Sequence, residues 1–221
     1  IYWSRRHVYG MLDAVICPSK YMKDEFDRVG DFAGLTLHLP NFTNLERRSY
    51  AKDRYVLYFG AYNRDKGVGT LLEVARKHPE IRFKFAGKGP YASSMTGIPN
   101  VEDLGFNTGE TLRAIVGRAT LTAMPSEWLE NSPFAVLEAL CSGTPVLGAR
   151  IGGIPELIDE GVTGELFEFR NSSDLESKLI SLWNDPDRCS RYAANCASFE
   201  PMSPGRYLDA LTDIYAGAMK K

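Results

Sequence analysis

The sequence has 221 residues, 44% of them hydrophobic and 24% charged, an ordinary globular balance that excludes a disordered, collagenous or coiled-coil chain. Its 26 Lys and Arg against 28 Asp and Glu leave a formal net charge of -2, which excludes the strongly basic footprint of a nucleic-acid-binding domain. Any anion the chain binds must be met by a local group of residues.

In chain order, Ala14-Val-Ile-Cys17 reads as a strand, Ser19 to Val29 as a helix and Leu35 to Leu39 as a second strand. Asn44 to Arg54 is polar and charged and reads as a linker, so the expected division is a leading part, 1–44, and a main domain, 45–221. From Tyr55 onward short apolar runs alternate with segments of helical period, the pattern of βαβ units and a parallel sheet covered on both faces. Tyr55 to Gly60, Ile81 to Ala86, Val101 to Phe106, Thr120 to Pro125, Pro145 to Ala149 and Gly164 to Phe169 are the predicted strands. Helices are expected over Val68 to Lys77, from Thr108 through Val116, from Ser132-Pro133 to Ser142, and over Ile154 to Asp159. Ser132 reads as the cap and Pro133 as the first helical residue, where a missing N–H costs nothing. Three helical stretches close the chain: Ser173 to Asn184, Pro186 to Phe199 and Pro204 to Ala218. The expected fold class is therefore α/β, a Rossmann-like parallel sheet with helices on both faces.

Cys17, Cys141, Cys189 and Cys196 form no C-x-x-C pair and read as reduced thiols. No apolar run approaches the roughly 20 residues of a membrane span, and the opening residues lack the pattern of a cleavable signal. A cytoplasmic protein is expected, with Arg5-Arg6 and Lys220-Lys221 as candidates for peripheral contact with the inner face of a membrane, although such two-residue clusters are normally solvated surface. The chain lacks an initiator Met, and the expectation is that it begins inside a longer one.

The chemistry is concentrated around one helix start. Glu130 falls in the loop before the helix and Glu138 in its second turn, so two carboxylates flank a group of unpaired backbone N–H donors. That end of a helix suits a pyrophosphate, whereas ionised carboxylates only accept hydrogen bonds and suit the hydroxyls of a sugar or ribose. A ligand carrying both phosphates and hydroxyls fits. The competing reading makes Glu138 a surface residue of an amphipathic helix whose apolar face is Phe134, Leu137, Leu140 and Cys141, with Glu130 solvated; the spacing alone leaves both open.

The surrounding segments carry a resemblance. Ser126-Glu-Trp-Leu-Glu-Asn-Ser-Pro-Phe134, Glu138-Ala-Leu-Cys-Ser-Gly-Thr-Pro-Val146, Gly152-Gly-Ile-Pro-Glu156 and Gly161-Val-Thr-Gly-Glu165 resemble in order the group 1 (GT4-like) glycosyltransferases of GT-B fold. Upstream, Val56 to Gly60 with Asp65-Lys-Gly67, Phe85 to Pro90, and Asn100 to Gly105 are similar to the first three strands and loops of that family's C-terminal, donor-binding domain. Asp13 to Ser19 and Pro40-Asn41 look like the end of its N-terminal domain and the crossing segment.

The resemblance implies a retaining hexosyltransferase that moves a sugar from a nucleotide-diphosphate sugar, UDP- or GDP-linked, to a glycan, lipid or small-molecule acceptor, with no metal ion or other cofactor. It implies Glu130 at the donor sugar and reacting centre, and Glu138 at the ribose hydroxyls. Asn131, Ser132, Pro133 and Phe134 would contact sugar and phosphate through their backbone. Gly60 and Lys66 would serve the diphosphate, and Gly87, Leu104 and Phe106 would border the base. Such an enzyme places a further Rossmann-like domain ahead of this one to bind the acceptor, so the isolated chain is expected to bind donor weakly and transfer little. A nucleotide-sugar epimerase of GT-B fold, or a non-catalytic nucleotide-sugar-binding module, are the alternatives.

Two departures from the family pattern stand out. Ala61 occupies the position that often holds a second phosphate-binding Arg, with Arg64 as the nearby substitute, and Asn41-Phe-Thr stands where the family shows Asn-Gly and an acidic residue. Other features read as incidental. Gly87-Lys-Gly89 lacks the third glycine of a dinucleotide fingerprint, Asp185-Pro-Asp187 reads as a turn and helix cap, and His7, His38 and His78 carry no pattern.

Overall fold

The structure, a computed structural model, describes residues 11–32 and 34–219. His7, Arg5-Arg6 and Lys220-Lys221 lie outside the described residues. The chain forms two compact units, one of Leu45–Phe199 and one of Ile1–Asn44 together with Glu200–Lys221. In the smaller unit, strands β1 (Val15–Cys17) and β2 (Thr36–His38) pair in parallel, Val15 opposite Thr36, and helix α1 (Lys20–Val29) joins them. Ser19 caps that helix by accepting the Met22 N–H at 3.1 Å, and Asp27 on it takes the Thr36 hydroxyl.

The larger unit is a six-stranded parallel sheet: β3 (Val56–Ala61), β4 (Phe83–Lys88), β5 (Val101–Asp103), β6 (Leu121–Met124), β7 (Val146–Ala149) and β8 (Gly164–Phe167), in spatial order β5-β4-β3-β6-β7-β8. Its helices are α2 (Val68–Lys77), α3 (Gly109–Arg118), α4 (Phe134–Cys141), α5 (Ser172–Trp183) and α6 (Pro186–Asn195). Period-two alternation splits the central strands between two cores. Val56, Tyr58 and Leu121 join Leu71 and Leu72 of α2 and Leu175 and Leu179 of α5, while Leu57, Phe59 and Val146 join Val136 and Leu140 of α4. Strands buried on both faces are the reason the sequence shows them as continuous apolar runs. Each such side chain contributes about 1.5–3 kcal/mol by its burial.

The strand order also locates the site. The chain steps from β3 out to β5, then returns to lay β6 against the free side of β3, so the loops after β3 and β6 diverge at a topological switch point. Ligands of open α/β sheets bind in the crevice that such a point leaves beyond the carboxyl ends of the strands. The preceding stretch Asn44 to Arg54 has no helix or strand but is not a free linker. The Lys52 ammonium donates to Gly117 O and Gly143 O at 2.7 Å and to Thr144 Oγ1 at 2.9 Å, tying it to the C-terminal ends of α3 and α4, where a cation is favoured. Burial lowers the pKa of Lys52 to about 8.

Several predicted boundaries shift for local reasons. Strand β5 stops at Asp103 because the Asp103 carboxylate accepts the Gly105 N–H at 2.9 Å and Gly105 turns with φ 66°. The expected helix from Ile154 to Asp159 is a single 3-10 turn, Ile154–Glu156, since Asp159 O takes the Val162 and Thr163 N–H groups in a turn of its own. The stretch from Pro186 changes to a 3-10 turn at Cys196–Ser198, and a further one at Pro90–Met95 was not expected. Asp185 caps α6, accepting the Arg188 N–H at 2.9 Å. The last helix, α7 (Pro204–Ala218), belongs to the smaller unit and not, as the sequence suggested, with 45–199. Phe42 bridges Met202 and its ring meets that of Tyr207 at 4.7 Å.

Candidate donor site

Two loops build the site at the switch point. After β3, the Asn63 side chain accepts the Lys66 N–H at 3.0 Å and Arg64 O accepts the Gly67 N–H at 2.8 Å, a tight turn that delivers Gly67 as the residue preceding α2. Gly67 has φ 68°, and a Cβ there would lie 1.7 Å from Pro125 O, so glycine alone lets the loop after β6 pass. Asp65 O accepts the Glu127 N–H at 2.8 Å, and the Thr70 hydroxyl donates to the Glu127 carboxylate. Gly67→Ala is therefore expected to lower stability by about 3 kcal/mol or more, combining left-handed backbone strain with a steric clash. Urea unfolding of the chain reads this directly, and an unchanged midpoint would show that the two loops are not locked together.

The locked loops bring Lys66 and Glu130 together. The Lys66 ammonium donates to Glu130 Oε1 at 2.5 Å, and Ser126 Oγ donates to the same oxygen at 2.7 Å. The Glu130 backbone is fixed from behind: its carbonyl accepts the Gly153 N–H at 2.7 Å, and a Cβ at Gly152, where φ is 57°, would lie 2.0 Å from it. The Gly152-Gly153 pair is thus the backstop that aims Glu130. With its side chain only 12% exposed, Glu130 is not the solvated residue that the surface reading of the pair requires.

Helix α4 begins at Phe134 with Pro133 as its cap and no side-chain capping bond. Ser132 is therefore not the cap, and Pro133 stands one position earlier than expected, because Pro133 O already accepts the Val136 N–H at 3.1 Å. Glu138 lies in the second turn, as predicted. Phe134 is 54% exposed, contrary to the apolar face drawn for an ordinary amphipathic helix. Glu138 instead turns into a cavity of about 360 Å³ lined mostly by apolar groups and glycine, among them Gly60, Ala61, Gly87 and Phe106. This is ample for a nucleoside. Desolvation there raises the pKa of Glu138, and no hydrogen-bond donor for its carboxylate is present among the described residues.

Not every expected residue gathers here. Arg64 lines a different cavity, with Trp128 and Arg170, of about 490 Å³, so it does not fill the place left open by Ala61. Leu104 packs into the core below α3 and α4 and does not line the Glu138 cavity. Asn131 to Phe134 lie at the helix start, outside that cavity's lining. Lys88, which sequence reasoning passed over, does line it; its only sequence signal is its place between two glycines. The four cysteines are free and buried. No described helix is long and apolar enough to cross a membrane.

Comparison with known proteins gives a consistent result. The family model for glycosyl transferases group 1 matches residues 44–198. Over 189 residues the chain is 31% identical to the D-inositol 3-phosphate glycosyltransferase of Corynebacterium kroppenstedtii, covering 75% of this chain and 41% of that protein. Over 137 residues it is 38% identical to a sulfoquinovosyl transferase of Arabidopsis thaliana, covering 59% of this chain and 26% of that protein; the chain thus spans less than half the length of either relative. The crystal structure of Anabaena HepE in complex with UDP superposes with a TM-score of 0.81 at 21% identity, over 92% of this chain and 64% of that one.

Proposed function

The chain belongs to the group 1 glycosyl transferases, and from that premise we propose that it holds the nucleotide-diphosphate sugar donor of a retaining, GT4-like transfer. The observation that carries this reading is the placement of two carboxylates around one helix start, Glu130 paired with Lys66 and Glu138 turned into an apolar cavity on the β3 side. Glu138, an acceptor without a partner among the described residues, takes the ribose hydroxyls. Lys66 and the N-terminal amides of α4 take the diphosphate, and Glu130 faces the sugar.

In this reading the chemistry divides along the site. Negative charge gathers on the diphosphate as the glycosidic bond breaks, and a positioned ammonium stabilises that charge more in the transition state than in the bound donor. Lys66 is held by Glu130 at the place where the charge develops. Glu130, fixed by Ser126 and by the Gly152-Gly153 backstop, orients the sugar on the opposite side of the breaking bond. The acceptor is a glycan, lipid or small molecule, held by a further domain of the enzyme. The UDP complex of HepE supports UDP as one donor nucleotide.

Calorimetric titration of the chain with UDP-, GDP- and ADP-sugars tests the proposal. Saturable one-to-one binding of at least one of them, competed by the free nucleoside diphosphate, is the expected result. Absence of binding by all three would remove the donor-site assignment.

A further inference from the structure

The Gly87-Lys-Gly89 turn is too short for a dinucleotide fingerprint, yet it is tightly seated. A Cβ at Gly87 would lie 1.9 Å from Gly60 O, and one at Gly89 would lie 2.5 Å from Tyr62 O, so the backbone of β3 and of the residue that follows it presses against both neighbours of Lys88. The Tyr62 N–H donates to Lys88 O at 2.8 Å, and the Gly87 N–H donates to Gly105 O at 2.8 Å. Lys88 is consequently an exposed side chain on a fixed backbone, the kind of support that a specific contact needs.

Its ammonium lies 4.7 Å from the centre of the Phe106 ring, and both residues line the cavity that holds Glu138. Lys88 is the one cation and Glu138 the one carboxylate of that lining among the described residues. Strand order decides which part of a ligand they meet. Lys66 and Glu130 follow β3 and β6, whereas Lys88 and Phe106 come from the ends of β4 and β5 on the other side of β3. A donor with its diphosphate at Lys66 and its ribose at Glu138 brings its base to Lys88 and Phe106.

The groups available there are selective. Phe106, 64% exposed, offers a ring face on which any base can stack. An ammonium only donates, so Lys88 pairs with a carbonyl oxygen of the base. The other side-chain N–H donor of the lining is already engaged, since Asn107 Nδ2 donates to Leu104 O at 2.9 Å and to Gly105 O at 3.0 Å, which leaves the Lys88 ammonium for the base. We propose that Lys88 is a specificity-determining residue that reads a carbonyl oxygen of the donor's nucleobase and selects uracil or guanine over adenine, which has none. This rests on the donor-site reading above.

The test is calorimetric titration of the chain with UDP, GDP, ADP and uridine, repeated for Lys88→Met and Lys88→Arg. The unaltered chain is expected to bind UDP or GDP about tenfold or more tightly than ADP, the effect of one charge-assisted hydrogen bond. Lys88→Met is expected to erase that preference by weakening UDP and uridine alike, leaving ADP unchanged, and Lys88→Arg to retain it. Equal weakening of all nucleotides, no change in preference, or weakening of UDP without weakening of uridine would each overturn the inference, the last by assigning the ammonium to phosphate. Failure of the unaltered chain to bind any nucleotide would instead overturn the donor-site reading, and this inference with it.

Discussion

Glu130→Gln is expected to lower the turnover of the enzyme by about a hundredfold to a thousandfold, the scale of losing one preorganised electrostatic group at a reacting centre, while changing affinity for the free nucleoside diphosphate little. The substitution keeps the shape of the side chain and an oxygen for Ser126 and Lys66, both of which donate to Oε1. What it removes is the charge. A thousandfold loss corresponds to about 4 kcal/mol of transition-state stabilisation, far more than a partly exposed ion pair contributes to folding. A role confined to structure would show itself differently, as a lowered unfolding midpoint with turnover per folded molecule preserved. Full turnover in Glu130→Gln would remove Glu130 from the reaction.

The main βα series was legible because its strands are apolar on both faces and its helices keep a clean period. Tyr55 to Phe59 and Leu121 to Met124 are buried throughout, and Gly143, with φ 69°, ends α4 where the sequence placed the stop. The two-carboxylate arrangement was also legible, since Glu130 and Glu138 are close in sequence and a single helix start separates them. Their company was less so. Lys66 and Glu130 are 64 positions apart, and their meeting depends on the strand order and on Gly67 admitting Pro125. Arg64 and Lys66 are near in sequence, but Arg64 lines a cavity with Trp128 and Arg170 whereas Lys66 pairs with Glu130; spacing carries no information about that. Lys88 went unrecognised because an exposed lysine between glycines has no periodicity, and its significance comes only from the backbones packed on either side of it.

The displaced helix cap has a similar cause. Ser132-Pro133 is a favourable start by composition, yet the chain must first pass the Gly152-Gly153 backstop, which pins Glu130, and the helix begins at Phe134. Tertiary contact overrode a local preference. The same contact brings Glu130 within reach of Lys66, so the misplaced cap and the assembled site share one origin.

Lys66 carries the central claim. If the locked loops form a diphosphate site, Lys66→Ala removes its ammonium and also leaves the Glu130 carboxylate, an anion, without its counter-charge beside the phosphates. Loss of a hydrogen bond to a charged group alone amounts to about 1.5–3 kcal/mol, and the uncompensated carboxylate adds to it, so UDP affinity is expected to fall by about a hundredfold. Lys66→Arg, which keeps the charge, is expected to restore much of it. Lys66 is 38% exposed and its ion pair contributes little to folding, so the unfolding midpoint should move only slightly. The most direct measurement is the UDP dissociation constant of the unaltered chain and of Lys66→Ala under the same salt conditions: a loss of about a hundredfold is predicted, and equal affinities would contradict the assignment of this loop to the donor diphosphate.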